Sequence, residues 1–546
     1  MLCQCRHLPD VQIDSAKDMN EFEDLPGIIL MKRHTQKEGT QMKHKIKHYY
    51  KLLAALLAAS VISGSLMGCG YCEATDNAQA FEEEQAVTVI APTCTEAGYT
   101  LHTGKVTGIT TISDEVPAPG HQFGEWQTDE NGNKSRICDV CGFEEWREQQ
   151  KIARMHLYGE TAGISKNDCV TLRAEFDGKG QNFSCYASVS LQGHSTLGLE
   201  KKNYTVRFYD DAELNGKHKM SFESWNLEHK YVLKANYYDP SQCRNLLCAN
   251  LWADIVKERN DLPRELTMTS NYGAVDGFPC AVWLNDSFMG LYTMNLHKDD
   301  DLYAMPLGEH NAVMIANAQT GDESLFKAEA GFVEDVTDWE VEYCSTHDSA
   351  WAEDSFNALI RFIMNSTEEE FYEDLSEYLD VDAAIDYLIF IYAAGLTDSY
   401  AKDLVMLNYG TRWIPTVYDM EDAFGLTADG AGVMPAESFL PFVSSSGLID
   451  SSTGSLLWDR LLNSFSQEIS DRYRALRDTV LDEASFENRV KEYLNQIPEE
   501  YYAMDRELYP DMPEPGTPAW EQITDYFSAR IILLDQFFTE MGENKK

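Results

Sequence analysis

Apolar and polar residues alternate in the middle of this chain and recur at helical spacing towards its end. VTLRAEF (170–176), CYASVSLQG (185–193) and KKNYTVRFY (201–209) place apolar side chains at every second position and are rich in β-branched and aromatic residues. That is the period of a half-buried strand. AVWLNDSFMGLYTMN (281–295) reads as a hairpin turning at Asn285-Asp286, and DLVMLNYGTRWIPTVYD (403–419) as a second, turning at Asn408-Tyr409-Gly410. Leu246, Leu247, Leu251 and Ile255 recur at helical spacing and predict a helix over 241–256. Past Ser349 the period is helical throughout, with helices expected over 351–364, 368–379 and 381–394 and an amphipathic helical tail over 455–541. No internal repeat is visible. A sheet-rich first half followed by a helix-rich second half is an α+β order.

Composition narrows the function classes. The 546 residues carry 44 Lys+Arg against 90 Asp+Glu, a formal charge of −46. So acidic a chain excludes a nucleic-acid binder, because the phosphate backbone repels it, and argues against electrostatic docking on anionic lipid. Hydrophobic residues make up 44%, enough for a real core.

The stretch from Met42 to Cys69 predicts a compartment. Lys43, Lys45, Lys47 and Lys51 precede an apolar run, Leu52 to Ile62, that is too short to span a bilayer. Leu66-Met67-Gly68-Cys69 resembles a bacterial lipobox, which implies a lipidated Cys69 and a mature chain anchored outside the cytoplasm; a plain secretory signal is the alternative. Signal peptides begin at the initiator, so Met42 is the expected start and 1–41 an extension outside the protein. The expected organisation is then 42–69 signal, 70–85 acidic tether, 86–150 small Cys-rich module and 151–546 one large domain. Of thirteen cysteines, setting aside Cys3, Cys5 and Cys69 leaves ten, without a regular disulfide framework.

In the small module, Cys138-Asp139-Val140-Cys141-Gly142 is a C-x₂-C knuckle, and Cys94 and His121 precede it. Three thiolates and an imidazole make a tetrahedral zinc set, which a unit with so few apolar residues needs. A metal-free module or a Cys138–Cys141 disulfide is the other reading. The unit resembles small Cys-rich, zinc-ribbon-like repeats of bacterial surface proteins.

Four clusters in the large domain carry chemistry. Gln192-Gly193-His194-Ser195-Thr196 leads to Lys201 and Lys202, and a strand lysine after a glycine loop reaches nucleotide phosphates. Lys234 opens a second cluster that runs through Asp239-Pro240 to Arg244 and Asn245; this last pair either anchors a phosphate or holds the fold together. Asp398, in a loop after an apolar helix, suits a proton acceptor, with Lys402 placed to neutralise phosphate charge and Asp403 beside it. Asp419, Glu421 and Asp422 follow a strand in an apolar setting and offer hard oxygen ligands for Mg²⁺ or Mn²⁺.

LQGHSTLGLEKKNY, YVLKANYYDPSQCRNLL, VWLNDSFMGLYTMN, LTDSYAKDLVML and WIPTVYDMEDAFG occur in the order of the CotH-type family, atypical kinases first recognised as spore-coat proteins, and the similarity covers about 154–425. The resemblance implies a protein-kinase-like fold that transfers the ATP γ-phosphate to Ser or Thr of surface or secreted proteins. It implies Asp398 as the catalytic Asp, a base or orienter of the hydroxyl, Asp419 as the metal ligand and Lys201 or Lys202 as the phosphate contact. Asp403 stands where the family usually has Asn, Glu421 where it usually has Asp, and Leu296 near a usual Glu. A surface adhesion protein that keeps the fold is the alternative, with Trp225, Trp252 and Trp283 as candidates for carbohydrate contact.

Overall fold

The computed structural model describes residues 85–543 apart from 96, 107–109, 126, 129–133, 148–151, 194, 308, 317–319, 334–335, 347 and 515–518. The start at Met42, the signal, the lipobox Cys69 and the tether up to residue 84 therefore lie outside the described residues. The chain divides into two compact units, Met1–Gly120 and His121–Lys546. The first holds a three-stranded antiparallel sheet of β1 (Gln85–Ile90), β2 (Gly98–Gly104) and β3 (Thr110–Val116), with Cys94 buried between β1 and β2 in sequence. No helix among the described residues is long and apolar enough to cross a membrane.

The second unit opens with a small sheet, β4 (Gln127–Thr128), β5 (Lys134–Ile137) and β6 (Glu144–Arg147). Seven strands then form a closed barrel: β7 (Ala153–Tyr158), β8 (Val170–Gly178), β9 (Gln181–Gln192), β10 (Asn203–Tyr209), β11 (Lys230–Lys234), β12 (Gly277–Leu284) and β13 (Ser287–Leu296), ordered β10-β11-β13-β12-β7-β8-β9. Alternation explains it. Leu172, Ala174 and Phe176 of β8, Val206 and Phe208 of β10, and Tyr231 and Leu233 of β11 all point into one core, and the residues between them face outward. The β12–β13 turn is Asn285-Asp286, with φ of 48° and 64°. Both central residues are left-handed, as a two-residue type I′ hairpin requires. Closure comes from β7, which pairs in parallel with β12 across a long stretch of sequence.

The rest of the unit is a four-stranded sheet and a set of helices on a second core. The sheet runs β15-β14-β16-β17, with β14 (Asn311–Ala316), β15 (Trp339–Cys344), β16 (Val405–Tyr409) and β17 (Trp413–Thr416). Helix α1 (Arg244–Lys257) starts three residues later than its hydrophobic pattern suggests. Asp239 is the reason: its carboxylate accepts from the backbone N–H of Ser241, Cys243 and Arg244, so the stretch before Arg244 is a capped turn, with Gln242 at φ 60°. Helices α2 (Ala350–Asn365) and α3 (Glu368–Asp374) follow. Helix α4 (Val381–Ala394) has the expected bounds: the Asp380 side chain caps it, every residue from Ala383 to Ala394 is buried, and left-handed Gly395 ends it. The tail forms α5 (Leu456–Ser464), α6 (Ser466–Arg477), α7 (Glu483–Leu494), α8 (Glu499–Leu508) and α9 (Ala519–Glu543).

Candidate active-site cleft

A cavity of about 550 Å³ lies between the outward face of the barrel and the loops that follow α4 and β17. The strand register lays out its barrel wall. Thr205 pairs with Val232, Val232 with Asn295, and Lys234 with Thr293, so Val232 and Lys234 are successive cleft-facing positions of β11. Gly193 at the β9–β10 loop has φ 109°, and a Cβ there would meet the Thr196 hydroxyl at 2.1 Å, so the turn admits only glycine. Lys402, Asp403 and the run Val417 to Glu421 form the opposite wall.

Charge is concentrated where the walls meet. Lys234 Nζ donates to Asp419 Oδ1 at 2.8 Å and lies 4.0 Å from Glu421. Lys402 Nζ donates to Asp398 at 2.6 Å and lies 3.9 Å from Asp403. Thr397 donates to Asp422 at 3.1 Å. Burial opposes the charge on Lys234, but Asp419 and Glu421 outweigh it and hold the ammonium well above its ordinary range. Asp419 is held low, against burial, by Lys234. The acids around it are only partly compensated. Burial, then the charge of Asp419, push Asp403 well above the carboxylate range. Burial lifts Glu421 to about 7, and burial with Asp398 lifts Asp422 to about 6. Three carboxylates that resist ionising, gathered around the ionised Asp419, fit a divalent cation. Asp403 and Asp419 are also left-handed, with φ of 59° and 46°, a conformation non-glycine residues hold only where their surroundings impose it.

The structure separates the expected phosphate-binding residues. Lys201 is fully buried, and its Nζ donates to Asp505 at 2.8 Å and to the Leu291 carbonyl at 2.5 Å. Lys202 donates to the carbonyls of Leu197 and Leu199 and closes its own loop. Neither lines the cleft. Arg244 is fully buried, pairs with Asp239 and donates to the Ala423 carbonyl at 3.1 Å; it holds the fold. Asn245 lines the cleft, and its Oδ1 accepts from the Met420 N–H at 2.7 Å, next to Asp419. Among the lysines at these strand ends, the one that faces the cleft is Lys234, to which sequence reasoning gave no role. Its signal was available: it stands two residues after Val232 on a strand whose alternate residues are core. Trp225 and Trp252 are core residues, and Trp283 stacks on His156 at 4.6 Å.

A family model described as CotH kinase protein matches residues 189–530, more than half of the chain. The chain belongs to the CotH kinase family. The matched span includes the glycine loop, Lys234, both acid loops and the first half of α9, so the CotH kinase region takes in both walls of the cleft apart from Lys166. Comparison with curated proteins finds no match.

Apart from the cleft, the Cys138–Cys141 knuckle of the second unit is formed, with Gly142 N–H donating to the Cys138 carbonyl at 2.9 Å. Cys141 Sγ and His121 Nδ1 are 3.3 Å apart. Although burial raises it, backbone N–H groups of Cys141 and Val140, with His121, bring the Cys138 thiol down to about 6. A thiol that ionises this easily is a ready metal ligand.

Proposed function

We propose that this CotH-family protein is an exported, ATP-dependent kinase that phosphorylates Ser or Thr of surface or secreted proteins. The observation that carries the reading is the Lys234–Asp419 ion pair at the head of the cleft, set among surplus carboxylates. Asp419, Glu421 and Asp403 would hold Mg²⁺ or Mn²⁺, which when bound neutralises charge on the transferred phosphoryl group. Lys234 and Lys402, each now paired with a carboxylate, would exchange that partner for phosphate oxygens. Asp398 would accept the substrate hydroxyl proton. The lipid anchor at Cys69 and a structural zinc in the small Cys-rich module belong to the same proposal.

Labelled ATP with Mn²⁺ or Mg²⁺ tests it. Label should enter protein with the wild type and vanish with Asp398→Ala and with Asp419→Ala. Label that persists in both variants, or calorimetry with no nucleotide binding, overturns it.

A further inference from the structure

The loop from Asp419 to Phe424 is left-handed at both ends, with φ of 46° at Asp419 and 57° at Phe424. Such a loop does not hold itself. Three of its backbone groups are held by side chains from outside. Asn245 takes the Met420 N–H at 2.7 Å, and Arg244 donates to the Ala423 carbonyl at 3.1 Å. Gln522 of helix α9 donates to the Phe424 carbonyl at 2.7 Å and accepts from Arg244. Gln522 is 7% exposed, and neither it nor any other residue of α9 lines the cleft.

The next turns of α9 continue the contact. Tyr526 is wedged between two glycines: a Cβ on Gly395 would meet its hydroxyl at 2.3 Å, and a Cβ on Gly425 its ring at 2.4 Å. Gly395 ends α4 three residues before Asp398, and Gly425 directly follows the metal loop. Arg530 donates to the Tyr392 carbonyl at 2.6 Å and to the Ala436 carbonyl at 2.7 Å. Gln522, Tyr526 and Arg530 are spaced four apart and so form one stripe of the helix.

We propose that this stripe is the positioning element of the active site: α9 sets the Asp419 loop through Gln522 and registers it against the Asp398 loop through Tyr526. The proposal rests on the divalent-cation reading above. Gln522 and Tyr526 are positioning residues and touch no reactant. Side chains that orient a ligand loop from behind are worth roughly ten- to a hundred-fold in metal affinity.

The test is direct Mn²⁺ binding by calorimetry to the full chain, without nucleotide, for wild type, Gln522→Leu, Tyr526→Leu and Lys201→Met. Gln522→Leu keeps the shape and removes both hydrogen bonds. Lys201→Met disturbs an equally buried polar group that does not touch the loop, and serves as the stability control. Gln522→Leu and Tyr526→Leu should bind Mn²⁺ about ten-fold or more weakly. Lys201→Met should lower the unfolding temperature but keep wild-type Mn²⁺ affinity. Wild-type affinity in Gln522→Leu, or an equal loss in Lys201→Met, overturns the proposal. If the wild type binds Mn²⁺, loses it with Gln522→Leu, and yet transfers no phosphate, the kinase reading fails while the positioning role holds. A wild type that binds no Mn²⁺ removes both.

Discussion

Two ion pairs join the barrel to the later part of the chain, and they differ in what surrounds them. At Lys201–Asp505 both partners are buried and every charge is answered: Lys201 also donates to the Leu291 carbonyl, Asp505 also accepts the Leu291 N–H at 2.8 Å, and Gly290 packs against both. At Lys234–Asp419 the pair borders a cavity, and Glu421, Asp403 and Asp422 crowd it with more carboxylates than Lys234 and Lys402 can balance. A buried ion pair alone says little about function. Surplus like charge kept beside open volume is what marks a site for an ionic ligand.

The comparison can be broken from either side. The largest effect is expected from replacing the open pair. Lys234→Met with Asp419→Leu should lower phosphotransfer by about a thousand-fold, roughly 4 kcal/mol of barrier, while the protein still folds. A rate within ten-fold of wild type would put the two pairs in the same class. At the closed pair, Asp505→Ala should lower unfolding free energy in urea by about 3–5 kcal/mol, because it leaves the buried Lys201 without its counter-ion. Phosphotransfer per folded molecule should not change.

Replacing both closed partners sharpens the contrast. Lys201→Met with Asp505→Leu should return stability to within about 1 kcal/mol of wild type or above it, since apolar side chains of similar volume avoid the cost of desolvating two charges. A double variant as unstable as Asp505→Ala would mean that the pair itself, rather than its completeness, holds the barrel.

The smallest effect lies away from both pairs. Burial, with Asp301 and Asp299, raises Glu228 to about 7. Its folded value is above its unfolded one, so folding takes up a proton, and this contribution to stability fades as pH rises from about 4.5 to about 7. Glu228→Gln should flatten the stability profile over that window and leave it unchanged below it, as thermal unfolding at several pH values would register.

Much of this architecture was legible in the sequence, for a physical reason in each case. The helix Val381–Ala394 was readable to the residue, because Asp380 and Gly395 are capping residues and the run between them is apolar. The Asn285-Asp286 hairpin was readable because few dipeptides tolerate two left-handed residues. Both acid-bearing loops were found from local pattern, and the structure gathers Asp403, Asp419, Glu421 and Lys402 around one cavity. The assignment of lysines was not legible. Lys201, Lys202 and Lys234 all stand at strand ends, and only the partner decides which way each turns. For Lys201 that partner is Asp505, 304 positions away. Arg244 was ambiguous for the same reason, since Gln522 and the Ala423 carbonyl lie far along the chain. Barrel closure left no local mark either, because it joins Ala153–Leu157 to Cys280–Leu284.

That closure has a consequence for how the molecule comes into being. As the polypeptide leaves the ribosome, β7 emerges more than a hundred residues ahead of the strand that completes it. Through that interval its outer row of backbone N–H and C=O groups has no mate, and an unmated strand is a template for the wrong neighbour. Long-range strand pairing is also slow to form. Newborn chains should therefore be most vulnerable to aggregation, and most dependent on a chaperone, between the synthesis of Tyr158 and that of Leu284.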